Sequence, residues 1–322
     1  MKQGDIYPIL IVVDEKKSSL NQALGLAKAI KKNDKKIIIK SLDTSFIKYK
    51  GMPSFLIYFL IKINNIIDVK DLSQIKLIIS CGRISAPVSL ILKEKLCCQN
   101  VHINDPYFKR KLFTRIIIPK HDNFFNLSNT IETVGSIVHR DNKKINKEDS
   151  EKFKKIIKFD KKKKIVTLLI GGSGKSSKFT KKDITKLFKF LENIDFNKYE
   201  LAFMFSRRTP ELIKNKIRNK FQEKTYIWKE SILNPYWYLI NISDFLIVSS
   251  DSVSMTSDAL ISGKPVFIFK LKKIKKKIED FHEYLQKKDY TNEFDGKFFK
   301  WKYKEFDEGK RIANILKVDL NI

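Results

Sequence analysis

The segment DSVSMTSD, residues 251–258, carries the side chains best suited to holding an anion. Asp251, Ser252 and Ser254 follow the apolar run Phe245 to Val248 and open a stretch with helical apolar spacing. At a helix start such groups either cap free N–H groups or, together with them, bind a phosphate. Asp258 follows Ser254 by four positions and falls on the same helix face. Ser206, Arg207 and Arg208 come directly after another apolar run, Glu200 to Phe205. Only eight of the 65 basic residues are arginine, so an Arg in this chain reads as chosen for its planar donor fork, which fits phosphate and carboxylate. Arg207 or Arg208 therefore either meets a diphosphate or pairs with a nearby acid such as Glu211. Of two adjacent side chains, one is expected to face the site.

The string GGSGKSS, residues 171–177, follows the apolar run Leu168 to Ile170 and ends like a phosphate-binding P-loop. That motif needs a glycine five positions before its Gly-Lys pair, where the loop turns around the phosphates. Leu169 occupies that position, inside the apolar run. The register excludes a P-loop and leaves a strand, a turn built on Gly171 and Gly172, and a helix starting near Lys181. Such a turn either brings backbone close to an anion or only reverses the chain.

His121 and Asp122 end another apolar run and are candidates for a general base, or for a histidine packed at a strand end. Four histidines and three cysteines (Cys81, Cys97 and Cys98) show no ligand or disulfide spacing, so no metal, cofactor or cystine framework is expected. The net charge of +29 is spread as lysine over every segment, without the aromatic-interleaved basic stripe of a nucleic-acid binder. Nucleic acid is not an expected partner, whereas an anionic membrane surface needs only a basic face. GMPSFLIYFLIKINNII, residues 51–67, is more apolar than one helix face requires, with Lys48, Lys50 and Lys62 at or inside it. It reads either as a helix in the membrane interface or as one buried on a sheet. No apolar run reaches the roughly 18 residues of a spanning helix. The N-terminal apolar segment is too short, and too soon acidic, for a signal peptide. A cytoplasmic protein, in places peripheral on the inner face of a membrane, is the expectation.

These residues are positioned by an alternation of short apolar runs and helical patterns. Strands are predicted at Tyr7 to Val13, Lys36 to Ile39, Leu77 to Ser80, Val101 to Ile103 and Arg115 to Ile118. Helices are predicted at Leu20 to Ile30, Phe55 to Ile67 and Ala86 to Leu96. A lysine-rich stretch, Asp141 to Lys164, reads as linker plus a short helix. The alternation resumes with strands at Ile165 to Ile170, Glu200 to Phe205, Thr225 to Trp228, Phe245 to Val248 and Pro265 to Phe269. The helices between them are Asp183 to Leu191, Glu211 to Asn219 and Val253 to Ile261. This pattern predicts an α/β protein with two doubly wound, Rossmann-like domains facing a cleft. The expected division is residues 1–145, a linker 146–164, a second domain 165–300, and a C-terminal helix in 301–322 packing near the interdomain region. In such sheets ligands bind beyond the carboxyl ends of the strands, which is where Cys81 to Arg83, His121-Asp122, Gly171-Gly172, Ser206 to Arg208 and Ser249 to Ser254 fall.

The chain resembles the elongated-mitochondria family, the plant mitochondrial fission factors and their bacterial relatives. The matching pieces are NQALGLA at Asn21 to Ala27, CGR at Cys81 to Arg83, HINDP at His102 to Pro106, PKHD at Pro119 to Asp122 and TVGSIVHR at Thr133 to Arg140. They continue with Gly171-Gly172, SRRTP at Ser206 to Pro210, YIW at Tyr226 to Trp228, DSVSM at Asp251 to Met255 and GKPVF at Gly263 to Phe267. The resemblance implies a glycosyltransferase-B-like fold and a nucleotide-diphosphate sugar as partner. Gly171, Gly172, Ser206, Arg207, Arg208, Asp251, Ser252 and Ser254 would then meet the diphosphate, and Asp258 the ribose. Asn21, Gln22, Gly82 and Arg83 would line the first domain's side. It also implies a choice among three roles: a transferase acting on a membrane-associated acceptor, an epimerase with the same donor site, and a non-catalytic membrane adaptor. The chain departs from the family in two places. Asp14 to Ser19 lacks the glycine usual before Asn-Gln, and Asp258 stands where Glu is usual.

Overall fold

The computed structural model describes residues 6–32, 34–49, 51–72, 74–122, 127–138, 145–230 and 233–322. His139, Arg140 and Lys50, quoted above, and Asp141 to Lys144 of the lysine-rich stretch lie outside them. The chain divides into two compact units, Met1–His139 with Asp307–Ile322, and Arg140–Phe306.

The first unit is built from β1 (Tyr7–Val13), α1 (Lys17–Lys31), β2 (Ile37–Asp43), α2 (Ser54–Ile63), β3 (Leu77–Cys81), α3 (Ser85–Leu96), β4 (Gln99–Ile103), β5 (Arg115–Pro119) and β6 (Thr130–Thr133). All neighbouring pairs run parallel in the order β2-β1-β3-β4-β5-β6. The pleat sends alternate side chains to opposite faces, and both faces are covered. Ile9, Ile11 and Val13 pack with Leu26 and Ile30 of α1. Leu10 and Val12 pack with Ile57 and Ile61 of α2 and with Leu90 and Ile91 of α3. This explains why β1 reads as an unbroken apolar run. The expected Phe55–Ile67 helix ends early, because Asn65 turns into the left-handed region (φ 46°) and the Ile66 N–H donates back to the Ile61 carbonyl.

The second unit comprises α4 (Lys147–Ile156), β7 (Lys164–Ile170), β8 (Ser177–Lys178), α5 (Lys181–Glu192), β9 (Tyr199–Phe205), α6 (Glu211–Phe221), β10 (Tyr226–Ile227), α7 (Tyr236–Ile242), β11 (Phe245–Ser249), α8 (Val253–Leu260), β12 (Val266–Phe269), β13 (Lys273–Ile274), α9 (Lys276–Lys287) and β14 (Thr291–Glu293). Its main sheet is again parallel, ordered β10-β9-β7-β11-β12-β14, while β8 and β13 form a small antiparallel pair. Val166, Leu168 and Ile170 of β7 share one buried cluster with Phe203, Phe245, Phe267 and Phe269 of its neighbours. Helix starts follow local chemistry. Thr180 and Asp183 form a reciprocal capping box at α5, and the Ser252 hydroxyl accepts from the Met255 N–H at 3.2 Å to cap α8.

The chain closes with α10 (Glu308–Asp319), which belongs to the first unit and packs on α1. Among the described residues no helix is long and apolar enough to cross a membrane.

Candidate functional site

In a doubly wound sheet the chain leaves one strand toward each edge, and the loops part at that switch point to form a crevice. In the second unit β7 connects toward β9 while β11 lies on its other side. The switch point is therefore between the carboxyl ends of β7 and β11, at Gly171-Gly172 and Ser249 to Asp251.

Asp251 organises this point. Its carboxylate is fully buried and takes three partners: the Ser249 hydroxyl at 2.6 Å, the Gly172 N–H at 2.9 Å and the Arg208 guanidinium at 3.4 Å. Burial pushes its pKa upward, and those three donors pull against that shift. The Gly171 N–H donates to the Ser249 hydroxyl at 2.7 Å. The turn's next amides are used as well: Ser173 N–H donates to the Arg208 carbonyl at 3.3 Å and Gly174 N–H to the Ser177 carbonyl at 2.9 Å. The four amides that precede Lys175 are thus taken within the protein. The glycines are required for closeness. A Cβ on Gly171 would lie 2.1 Å from the Asp251 carboxylate, and one on Gly172 would lie 1.9 Å from the Arg208 carbonyl oxygen.

Ser206 to Thr209 form a turn after β9. The Arg208 N–H donates to the Ser206 hydroxyl at 3.2 Å, and the Thr209 hydroxyl reaches the Ile170 and Gly171 carbonyls at 3.0 and 2.7 Å. The turn is thus fastened to the end of β7 and carries both arginines. Arg208 is half-exposed and bent back onto Asp251. Arg207 is exposed and makes no ion pair among the described residues. The pair divides as two adjacent side chains must, one inward and one outward.

Ser254, in the first turn of α8, is exposed, and Asp258 lies one turn further along the same face, partly buried. The Tyr236 hydroxyl, at the start of α7, donates to Asp258 Oδ2 at 2.9 Å. Burial raises the Asp258 carboxyl to about 7 despite that bond, and burial with the neighbouring carboxylate raises the Tyr236 hydroxyl well above its ordinary value. Tyr236 is not legible in the sequence, since NPYWYL holds no spacing that singles it out, and Thr209 shows only as part of SRRTP. A hollow of about 610 Å³ lies at the opposite, amino-terminal end of this sheet, lined by Lys158, Lys163, Tyr199 and Tyr226, and contributes nothing to the switch point.

In the first unit the equivalent switch point is between β1 and β3. Gly82 sits there with φ 114°, and a Cβ on it would lie 2.6 Å from the buried Asp14 carboxylate. Arg83 follows, exposed. Asn21 and Gln22 lie inside α1 rather than at its start, Asn21 exposed and Gln22 accepting from the Ile137 N–H at 3.4 Å. His121 and Asp122 form a short turn directly after β5. His102, part of a family string, is buried at 1% exposure and paired with Ser80 at 2.8 Å; burial lowers it to about 3, so it packs as a neutral ring. Among the described residues no three His, Cys, Asp or Glu side chains gather as metal donors.

The Mitochondrial fission ELM1 family matches residues 19–320. The uncharacterized protein RP120 of Rickettsia prowazekii (strain Madrid E) is 28% identical and aligns over 98% of this chain and 99% of its own. Among solved structures, the UDP-GlcNAc 2-epimerase of Neisseria meningitidis bound to UDP-GlcNAc superposes with a TM-score of 0.58 at 12% identity, covering 98% of this chain and 99% of that one. The glycosyltransferase of kitacinnamycin gives 0.53 at 8% identity, over 98% and 91%. At such identities the structural likeness speaks for the fold alone, two doubly wound parallel sheets of the glycosyltransferase-B kind. The match along nearly the whole sequence speaks for more, and the chain belongs to the Mitochondrial fission ELM1 family.

Proposed function

We propose that the second unit binds a nucleotide-diphosphate sugar at the β7/β11 switch point, and that the protein acts as a glycosyltransferase on a membrane-associated acceptor. Arg207 and the α8 start at Ser252 and Ser254 take the diphosphate, and Asp258 takes the ribose. Asp251, Gly171 and Gly172 brace that arrangement. The observation that supports this reading is the Ser206–Thr209 turn, pinned to the end of β7 by Thr209 and tied to the β11–α8 loop through Arg208 and Asp251, with Arg207 exposed and in no ion pair among the described residues. His121 and Asp122 of the first unit are the candidate general base. The UDP-GlcNAc bound to the Neisseria neighbour is a ligand of the same chemical class.

That neighbour also favours a second reading, an epimerase using the same donor site. The two separate by product: a transferase releases the nucleoside diphosphate, an epimerase returns an isomeric nucleotide sugar.

Calorimetric titration with uridine and guanosine diphosphate sugars tests the shared premise. Wild type should bind at least one of them. A charged hydrogen bond contributes about 1.5–3 kcal/mol, so Arg207→Ala should weaken binding by about tenfold to a hundredfold. Arg207→Lys should restore only part, since an ammonium lacks the fork. Absence of binding by wild type at millimolar ligand sinks the donor-site reading and leaves a non-catalytic membrane adaptor in its place.

A further inference from the structure

Helix α2 has two unlike faces. Ser54, Ile57, Tyr58 and Ile61 are buried against the first sheet. Phe55, Phe59 and Ile63 recur every four residues on the opposite side and are 50%, 53% and 77% exposed, with Leu56 and Met52 also open to solvent. Solvent-facing apolar side chains concentrated in this way mark an interaction surface. The loop after β4 lies beside them: Lys109 Nζ stands 3.9 Å from the centre of the Tyr58 ring and 6.0 Å from that of Phe59, and Tyr107 of the same loop is exposed.

The charge around this stripe is one-sided. Glu94 is held by Lys62 at 2.9 Å and by the Tyr58 hydroxyl at 2.6 Å. Asp105 is held by a two-pronged contact from Arg110, both prongs at 2.8 Å. Both acids are neutralised within the protein. Lys109, and Lys48 in the segment leading into α2, are exposed and make no ion pair among the described residues. A stripe of Phe, Leu and Ile with exposed ammonium groups on the neighbouring segments complements an anionic lipid surface, with rings in the acyl boundary and lysines among the headgroups. A second copy of the chain is the poorer occupant, since each carries a net charge of +29 and like-charged surfaces repel.

We propose that the exposed face of α2, with the Tyr107–Lys109 loop, docks this protein on an anionic bilayer. The proposal deepens the membrane part of the functional reading and rests on that part alone, so its test is independent of sugar-nucleotide binding.

The test is flotation with vesicles of phosphatidylcholine and phosphatidylglycerol in equal parts, beside vesicles of phosphatidylcholine only. Wild type should float with the anionic vesicles, and less as salt rises, because surface charge is screened. Phe55→Ser with Phe59→Ser should lower that partition roughly tenfold or more, as loss of even one buried Phe requires. Ile63→Asp changes the most exposed position of the stripe without touching the core, and should act in the same direction. Absence of flotation, flotation unchanged in both variants, or a wild-type dimer that the variants break would each overturn the proposal. The same preparations titrated with nucleotide sugar separate the two ideas. Vesicle binding without sugar binding upholds the docking face and refutes the donor site; sugar binding without vesicle binding does the reverse.

Discussion

The Gly172 amide and the Asp251 carboxylate, 79 positions apart in sequence, are joined by a 2.9 Å hydrogen bond that fastens the end of β7 to the end of β11. The same carboxylate takes the Ser249 hydroxyl and the Arg208 guanidinium. Asp251→Ala leaves a buried amide and a buried hydroxyl short of a partner. We expect it to cost about 3 kcal/mol in urea unfolding, with Asp251→Asn costing less because the amide oxygen still accepts. A loss under about 1 kcal/mol for the alanine variant would show that Asp251 is not the brace described.

The protein should not hydrolyse ATP, although residues 173–176 read Ser-Gly-Lys-Ser. The amides of Gly171 to Gly174 are each bonded within the protein, to Ser249, Asp251, Arg208 and Ser177. A phosphate would have to break those bonds to be cradled. Phosphate release from ATP should stay at the level of a protein-free control for wild type and for Lys175→Ala alike. Release by wild type that vanishes in the variant would refute this.

Glu308 fixes the last helix to the first sheet. It accepts from the Thr133 hydroxyl at 2.9 Å, the Val134 N–H at 2.8 Å and Arg311 at 2.6 Å. Glu308 is buried whereas the Arg311 side chain is 45% exposed, so the two partners are not equivalent. Glu308→Ala should cost about 3 kcal/mol by stranding buried donors, and Arg311→Ala about 1 kcal/mol or less. Hydrogen exchange should locate the loosening in α10. Equal costs for the two variants would contradict the burial argument.

Local signals carried the fold far. The apolar run Tyr7 to Val13 and the observed β1 coincide, because a strand buried on both faces has nothing polar to blur its ends. β6, β14 and the β8–β13 pair went unread, being at most four residues long and held mainly by neighbours distant in sequence. The site divides in the same way. That Ser252 starts a helix and that Arg208 follows a strand are local facts, written in residue types. That Asp251 turns inward to Gly172, or that Tyr236 reaches Asp258, depends on which strands meet, and neither spacing nor composition encodes that. GGSGKSS resembled an anion loop for the converse reason: its residue types were read without the partners that occupy its amides.

Burial holds the Asp258 carboxyl at about 7 in the folded protein, against an ordinary value of 3.8, with the Tyr236 hydrogen bond only partly opposing the rise. Between those two values the folded state keeps a proton that the unfolded chain has released. Stability falls with rising pH wherever the folded state binds more protons. Asp258 should therefore lower stability progressively as pH climbs from about 4 to about 7, and its full cost should stand above that window. Asp258→Asn cannot ionise, yet its amide oxygen can still accept from Tyr236. The variant should match wild type near pH 4, exceed it at pH 8, and show a flatter pH dependence between. If Asp258 also receives a ribose hydroxyl, only its ionised form does so well, and wild-type affinity for a nucleotide sugar should rise as pH passes through about 7 while the Asn variant stays level. Parallel urea titrations and ligand titrations at stepped pH read both effects. Identical stability profiles for the two proteins would mean that Asp258 titrates in its ordinary range, and both expectations would fall together.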